Sequence, residues 1–256
     1  LGNIEYKGEM GGYGNDISAK GVLTTDAGIT ALSFGKHNNK FSARIETEEF
    51  KLGKVLENDK YGTISTQIDI SGRIPVNNDI YIEAAGDISK FEYNSYAYKN
   101  ISVDGVFEGN AFDGKLTVND PNAIVNMAGK FDFLSKHPYA KLTADIEKLS
   151  PSALKLSNKW PNTQFQFRIH TDIEGKSLNT ANGYALLTDF AMKSDRVDYT
   201  LSNLLVNINN KENLHHLHVK SDFGQIQLTG KYDYNTLSQS IINLIGSKLP
   251  TIPGLP

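Results

Sequence analysis

Cysteine is missing from all 256 residues, which excludes disulfides, thiolate metal centres and cysteine nucleophiles and is compatible with an oxidising compartment. Charge of one sign is also missing. Lys and Arg number 26 against 29 Asp and Glu, a net charge of −3, and neither sign forms a block. Electrostatic capture of nucleic acid therefore has no footprint, and no nucleic-acid partner is expected. Long apolar runs are absent too: the longest uncharged apolar run, Ile241 to Ile245 with Asn243 inside it, falls far short of a membrane-spanning helix. The chain begins Leu1-Gly2 with no initiator Met or signal peptide and ends in a Pro-rich tail, 250–256, so a segment of a longer protein is expected. What is present is enough apolar material, 39%, to bury a core as one long β domain or two smaller ones.

The dominant pattern is an alternation of period two. Ile64, Thr66, Ile68 and Ile70 alternate with Ser65, Gln67, Asp69 and Ser71, which puts the first set on one face of a strand. The same phase holds for Ile80, Ile82 and Ala84, for Ile101, Val103 and Phe107, and for Val125, Met127, Phe131 and Phe133. It continues through Leu142, Ala144 and Ile146, then Phe165, Phe167, Ile169 and Ile173, then Leu204, Val206 and Ile208. The last runs are Leu217, Val219 and Phe223, and Ile226, Leu228, Tyr232 and Tyr234. Turn dipeptides separate the runs: Asn77-Asn78, Gly109-Asn110, Asp120-Pro121, Asn182-Gly183 and Asn209-Asn210. An antiparallel meander of roughly fourteen strands follows, on the order of 65 Å across at about 4.8 Å per strand.

Glycines recur on the apolar phase, at Gly72, Gly86, Gly105, Gly114, Gly129, Gly175 and Gly230, and predict bends that curl the sheet. Helix signals are few. Phe50 to Leu56 and Ser152 to Leu156 each suit a short helix, the second with Pro151 at its first position. The third signal is an amphipathic helix over 236–249, capped by Asn235, with Leu237, Ile241, Leu244, Ile245 and Lys248 at helical spacing and Gly246 or Pro250 to end it. The expected organisation is a continuous sheet over 1–235, that helix laid against the open end of the sheet, and the tail.

Catalytic constellations are scarce, and no enzymatic activity, cofactor or metal is expected. His216 and His218 share a strand face as a two-ligand metal clip requires, but Leu217 and Val219 opposite them make solvated strand residues the better reading. The carboxylates at Asp69, Asp104, Glu108, Asp145, Glu147, Asp172 and Glu174 are dispersed at the spacing of a wet sheet face rather than paired for acid–base work. Asp120-Pro121-Asn122 is what a tight turn wants. Asn100-Ile101-Ser102 matches a glycosylation acceptor, a pattern too short to carry weight.

FDGKLTVNDPNAIVNMAGKFDF at 112–133, HPYAKLTADIEKLSPSALKL at 137–156 and FQFRIHTDIEGKSLNTANGYALL at 165–187 resemble, in order and spacing, the periplasmic repeat region of TamB proteins, especially those of the Bacteroidetes. The resemblance implies an AsmA-like bridge protein: a long antiparallel sheet folded into an open U-shaped trough, or β-taco, that carries phospholipid acyl chains across the periplasm. It also implies an inner-membrane anchor, and docking to an Omp85-family, TamA-like outer-membrane barrel, through parts of the parent protein outside this chain. A link to outer-membrane protein assembly comes with it.

If the sheet is such a trough, strand parity makes Ile68, Ile82, Val103, Val125, Met127, Ile146, Phe167, Ile169, Val206, Val219 and Leu228 its lipid-facing lining. Two alternatives stay open. A closed transmembrane barrel would show similar alternation with aromatic girdles at both strand ends, whereas the Tyr and Phe residues read as spread along the strands. A self-packed sandwich or adhesin-like module would bury the apolar face within itself and bind through its loops, for which Trp160 beside Pro161 speaks.

Overall fold

In a computed structural model the chain forms one antiparallel sheet of fifteen strands in strict sequence order, unclosed and curved. Residues 2–73, 81–211 and 214–237 are described. The first strands, which follow no clear apolar run, are β1 (Ile4–Tyr13), β2 (Asp16–Thr25), β3 (Gly28–His37) and β4 (Lys40–Lys51). After the short helix α1 (Leu52–Leu56) come β5 (Tyr61–Arg73), β6 (Tyr81–Tyr93), β7 (Tyr96–Glu108), β8 (Ala111–Asp120) and β9 (Ala123–Asp132). The rest are β10 (Tyr139–Leu149), β11 (Gln164–Glu174), β12 (Asn182–Lys193), β13 (Asp198–Lys211), β14 (Leu214–Ser221) and β15 (Gly224–Gly230).

Several local readings differ from this structure. Ser152 to Leu156 is a run of turns and not a helix: Lys155 is left-handed at φ 57°, and Leu154, 1% exposed, is drawn inward while its carbonyl accepts from Tyr98 Oη at 2.8 Å. Asn209-Asn210 lies within β13 and Asn182-Gly183 opens β12, because backbone pairing outweighs the turn propensity of Asn. Phe133, Tyr232 and Tyr234 fall outside β9 and β15. A helical turn begins at residue 234, two residues before the expected start, because Asp233 and not Asn235 caps it: Asp233 Oδ1 accepts from Asn235 N at 2.7 Å. The Asn77-Asn78 turn, nearly all of the 236–249 helix and the 250–256 tail lie outside the described residues.

Register makes the sheet two-faced from edge to edge. One unbroken row of paired residues runs Gly8, Gly21, Leu32, Ile45, Ile68, Gly86, Val103, Leu116, Met127, Ala144, Ile169, Leu187, Leu204 and Ser221. The opposite face carries directly paired charges: Arg44 to Asp69 at 3.4 Å, Lys141 to Asp172 at 2.9 Å and Arg168 to Asp145 at 3.2 Å.

The strands bend where the alternation breaks. In β4, β6, β7, β10, β12 and β13 two consecutive residues face the polar side: Glu48-Glu49, Ser89-Lys90, Lys99-Asn100, Glu147-Lys148, Thr188-Asp189 and Ser202-Asn203. Glu49, Asn100 and Asp189 take left-handed φ values of 51°, 51° and 52° to make the step. An additional residue on one side lengthens that side, so each strand bends toward the apolar face. The bends adjoin one another across strands, since Phe50 pairs with Ile64, Ile64 with Phe91 and Phe91 with Tyr98. The apolar face is therefore the inside of the curve.

The same line is pinned from outside. Lys90 Nζ reaches Glu49 at 2.9 Å and Glu92 at 2.8 Å, and Glu92 also accepts from Thr63 N at 2.8 Å. The bond from Lys90, then those from Thr63, hold both carboxyls below the usual glutamate value, and Glu92 and then Glu49 raise the Lys90 ammonium. Carboxyls lowered by folding contribute stability above their unfolded pKa and lose it as pH falls through the folded value. A raised lysine contributes below its unfolded pKa and loses it as pH rises through the folded value. Scanning calorimetry between about pH 6 and pH 3 should show a steeper fall of Tm in wild type than in Lys90→Met. Parallel curves would mean the trio does not pin the bend.

Candidate functional site

The inner face is built from the apolar phase of every strand, and register places all eleven residues expected to line it on that one face. Its middle rows are uncharged and mostly aliphatic or glycine, with Thr47, Thr66 and Thr171 among them, and its aromatic residues gather mostly toward the strand ends. At the end nearer the bends Tyr61, Phe91, Tyr93, Tyr96 and Tyr98 pack with centroids 4.8–6.4 Å apart, and farther along Trp160 stands edge-on to Phe165 at 5.7 Å. At the other end Phe107, Phe112, Phe131 and Phe133 follow one another with ring centroids 4.9–5.4 Å apart, the first two pairs tilted and the last stacked. The aromatic residues are thus not spread evenly along the strands. The skipped residue at each bend hides this in the sequence, because it brings Phe91 and Tyr98 into phase with Ile88 and Ile101.

Only three residues of this face that carry Asp, Glu, Lys, Arg or His lie among the described residues: Lys36, Asp120 and His215, each near a strand end. All three are engaged. Asp120, 2% exposed, accepts from Tyr96 Oη, from Lys99 N at 3.0 Å and from Asn122 N at 2.8 Å, which makes the Asp-Pro-Asn turn a tie between β7 and the β8–β9 hairpin. Lys36 Nζ donates to the Asn15 carbonyl at 3.3 Å, and His215 Nδ1 lies 2.6 Å from Asn210 Oδ1. The long middle of the face carries no charge.

Among the described residues only its ends are covered: the β10–β11 connection meets Tyr98 and Phe165 at one end, and Tyr232 and Tyr234 meet His215 at the other. The buried apolar side chains are Ala19, Ala27, Ala84, Ala123, Ala140, Ala144 and Ala181 with Phe112, Leu154 and Ile208, so seven of ten are alanine. A sandwich core would bury its Ile, Val and Leu; here Ile68, Val103, Met127, Ile169, Leu187 and Val206 all stay partly exposed. Substantial contacts join each strand only to its sequence neighbours, apart from α1 on β5. The self-packed sandwich is not the architecture. Neither is a closed barrel, since β1 and β15 end the strand order unpaired with each other.

The chain matches no known protein family, no curated protein and no solved structure.

The outer face offers less. A shallow depression of about 550 Å³ crosses β3 to β7, but three of its four charged side chains are already partnered: Arg44 with Asp69, and Glu83 with Ser71 and Tyr81. His216 and His218 face this side, and His216 Nδ1 sits 3.1 Å from Thr229 Oγ1. Among the described residues no three His, Cys, Asp or Glu side chains gather as a metal site would need. Trp160, 45% exposed, packs on the aromatic end of the inner face rather than standing at a free loop tip.

Proposed function

We propose that the chain is a segment of a periplasmic bridge protein of the TamB, AsmA-like kind, whose inner face holds phospholipid acyl chains on their way to the outer membrane. The observation that carries this reading is the apolar face left uncovered between its ends: fifteen strands wide, concave, and uncharged except near its strand ends. Apolar area of that extent calls for a partner, and a concave strip with uncharged middle rows suits flexible hydrocarbon better than a protein surface with its own shape. The fatty chains would lie on the aliphatic rows with polar headgroups toward the aromatic ends, where Tyr and Trp rings tolerate both environments. An inner-membrane anchor, an Omp85-family barrel partner and a contribution to outer-membrane protein assembly would involve other parts of the longer protein. No catalysis is assigned.

Native mass spectrometry of the chain, expressed in a diderm bacterium and purified without detergent, should show phospholipid adducts that collisional activation releases. A lipid-free spectrum, together with no phospholipid in an organic extract of the same sample, would remove the reading.

A further inference from the structure

The two ends of the inner face are both aromatic but not alike. At the end nearer the bends the outermost paired row is Tyr61, Tyr93 and Tyr96, and the next row in is Phe50, Ile64, Phe91 and Tyr98. Hydroxyls therefore stand outermost, with hydrocarbon behind them. Tyr96 and Tyr98 show the direction of the rings. Their hydroxyls donate to Asp120, the last residue of β8, and to the Leu154 carbonyl in the β10–β11 connection, so both point out of that end. Farther along, Trp160 and Tyr199 stand at the same end.

The other end has no such border. The row there carries Phe41, Phe107, Phe112 and Phe131, and from β4 to β12 it holds no hydroxyl, amide or charge. Beyond them, two tyrosines meet the face at its far corner, where residues 231–236 turn back as a strap against the end of β14. Tyr232 and Tyr234 pack on His215 with centroids 5.2 and 5.4 Å away, and Asn179 Oδ1 fastens the strap by accepting from Tyr234 N at 2.9 Å. Their hydroxyls serve the chain itself: Tyr232 Oη is buried, and Tyr234 Oη donates to Asn210 Oδ1 at 3.5 Å.

This asymmetry has a chemical meaning. Tyr and Trp rings settle where hydrocarbon meets polar headgroups, because the ring is apolar while the hydroxyl or indole N–H needs a partner; Phe has no polar atom to satisfy there. Tyr61 and Tyr93 are the open positions of the border. Neither hydroxyl has a protein partner among the described residues, whereas those of Tyr96 and Tyr98 are taken. We propose that a bound phospholipid lies one way round: its ester and phosphate groups along the row of Tyr61, Tyr93 and Tyr96, and its acyl chains directed across the aliphatic rows toward the phenylalanine row. This rests on the acyl-chain reading and gives it a direction. Lipids held in this sense form a single file with every headgroup on one rim.

The test uses the full chain and two photoactivatable phosphatidylcholines in dioleoylphosphatidylcholine vesicles, one with a diazirine on the headgroup and one with a diazirine at the acyl terminus. The headgroup probe should label the tryptic peptide 91–99 over 131–136 by about fivefold or more, the bias that one phenol hydrogen bond supplies. The acyl probe should favour 131–136. Equal ratios from the two probes, or a reversed pair, would overturn the direction and leave the lipid reading standing; labelling by neither would remove the lipid reading and this inference with it. Tyr61→Phe/Tyr93→Phe keeps both rings and removes only the open hydroxyls, so it should cut the headgroup label on 91–99 to about a fifth. An unchanged headgroup label in that variant would overturn the assignment of the headgroup to the tyrosine row.

Discussion

A photo-reactive residue at position 169 should capture phospholipid in cells, and one at position 166 should not. The two lie on the same strand: Ile169 sits in the central inner row between Ala144 and Leu187, and Gln166 faces out and is exposed. The companion variant is Ile169→Asp, which should abolish capture by a photo-reactive residue at 167. An unpaired carboxylate against hydrocarbon costs several kcal/mol, and each 1.4 kcal/mol is tenfold in occupancy, so local binding should fall by about a hundredfold or more. Gln166→Asp should leave capture at 167 unchanged. Arg168 is the poorer control despite its outward side chain, because it ties Asp145 and Asp189 at 3.2 and 3.0 Å. Ile169→Asp should also fold, since its side chain is half-exposed and no second layer must admit the charge; a cost of about 1 kcal/mol would lower Tm by roughly 2–4 °C. Unfolding by Ile169→Asp would mean that the face is covered, and equal capture at 166 and 169 would mean that it does not select hydrocarbon.

Much of this face was legible in the residues. From Ile64 onward the alternation marks the inner phase of most strands, β8 and β12 excepted, and register then joins those phases without conflict. β1 to β4 were less legible. Their inner positions include Gly8, Gly12, Gly21 and Lys36, and short apolar runs broken by glycine look like loop. The bends were written in the sequence as i, i+3 spacings of inner residues, such as Ile88 to Phe91, Ile146 to Leu149 and Leu187 to Phe190. A step of three inside a period-two pattern is also what a loop or a helix start looks like, so only the neighbour's register tells them apart. Asn100 shows the difficulty: its left-handed backbone and its bond to the Asn119 carbonyl at 3.1 Å belong to the bend, while its local sequence suggests a glycosylation acceptor. The strap was hidden for another reason. Tyr232 and Tyr234 continue the period of β15, but Asn179, which holds them, is more than fifty residues away and carries no local signal.

The largest loss of stability should come from a methyl-bearing side chain where two inner-face glycines meet under a buried ring. Gly105 and Gly114 face each other across β7 and β8, so close that a Cβ on Gly114 would lie 2.4 Å from Gly105 Cα and from the Asp104 carbonyl oxygen, and 2.9 Å from the Phe112 ring. Those are backbone atoms and a ring that is itself 6% exposed, so nothing nearby can swing aside. Gly114→Val must open the pair, flatten the sheet there and lift Phe112 off the two glycines it covers. Overpacking costs about 1–3 kcal/mol where side chains can adjust and more where backbone must move, so Tm should fall by roughly 6–12 °C or further. The control is on the other face. A Cβ on Gly35 would meet only Ser42 Oγ, at 3.4 Å, so Gly35→Ala should be near neutral, with the loss of glycine's unfolded-state entropy working in its favour. The contrast reads the direction of curvature: a sheet curled toward its apolar face crowds glycines on that face and leaves those on the polar face room. Equal tolerance of Gly114→Val and Gly35→Ala in thermal melts would mean the sheet is flat at β7 and β8, and a flat sheet has no inside in which to hold an acyl chain.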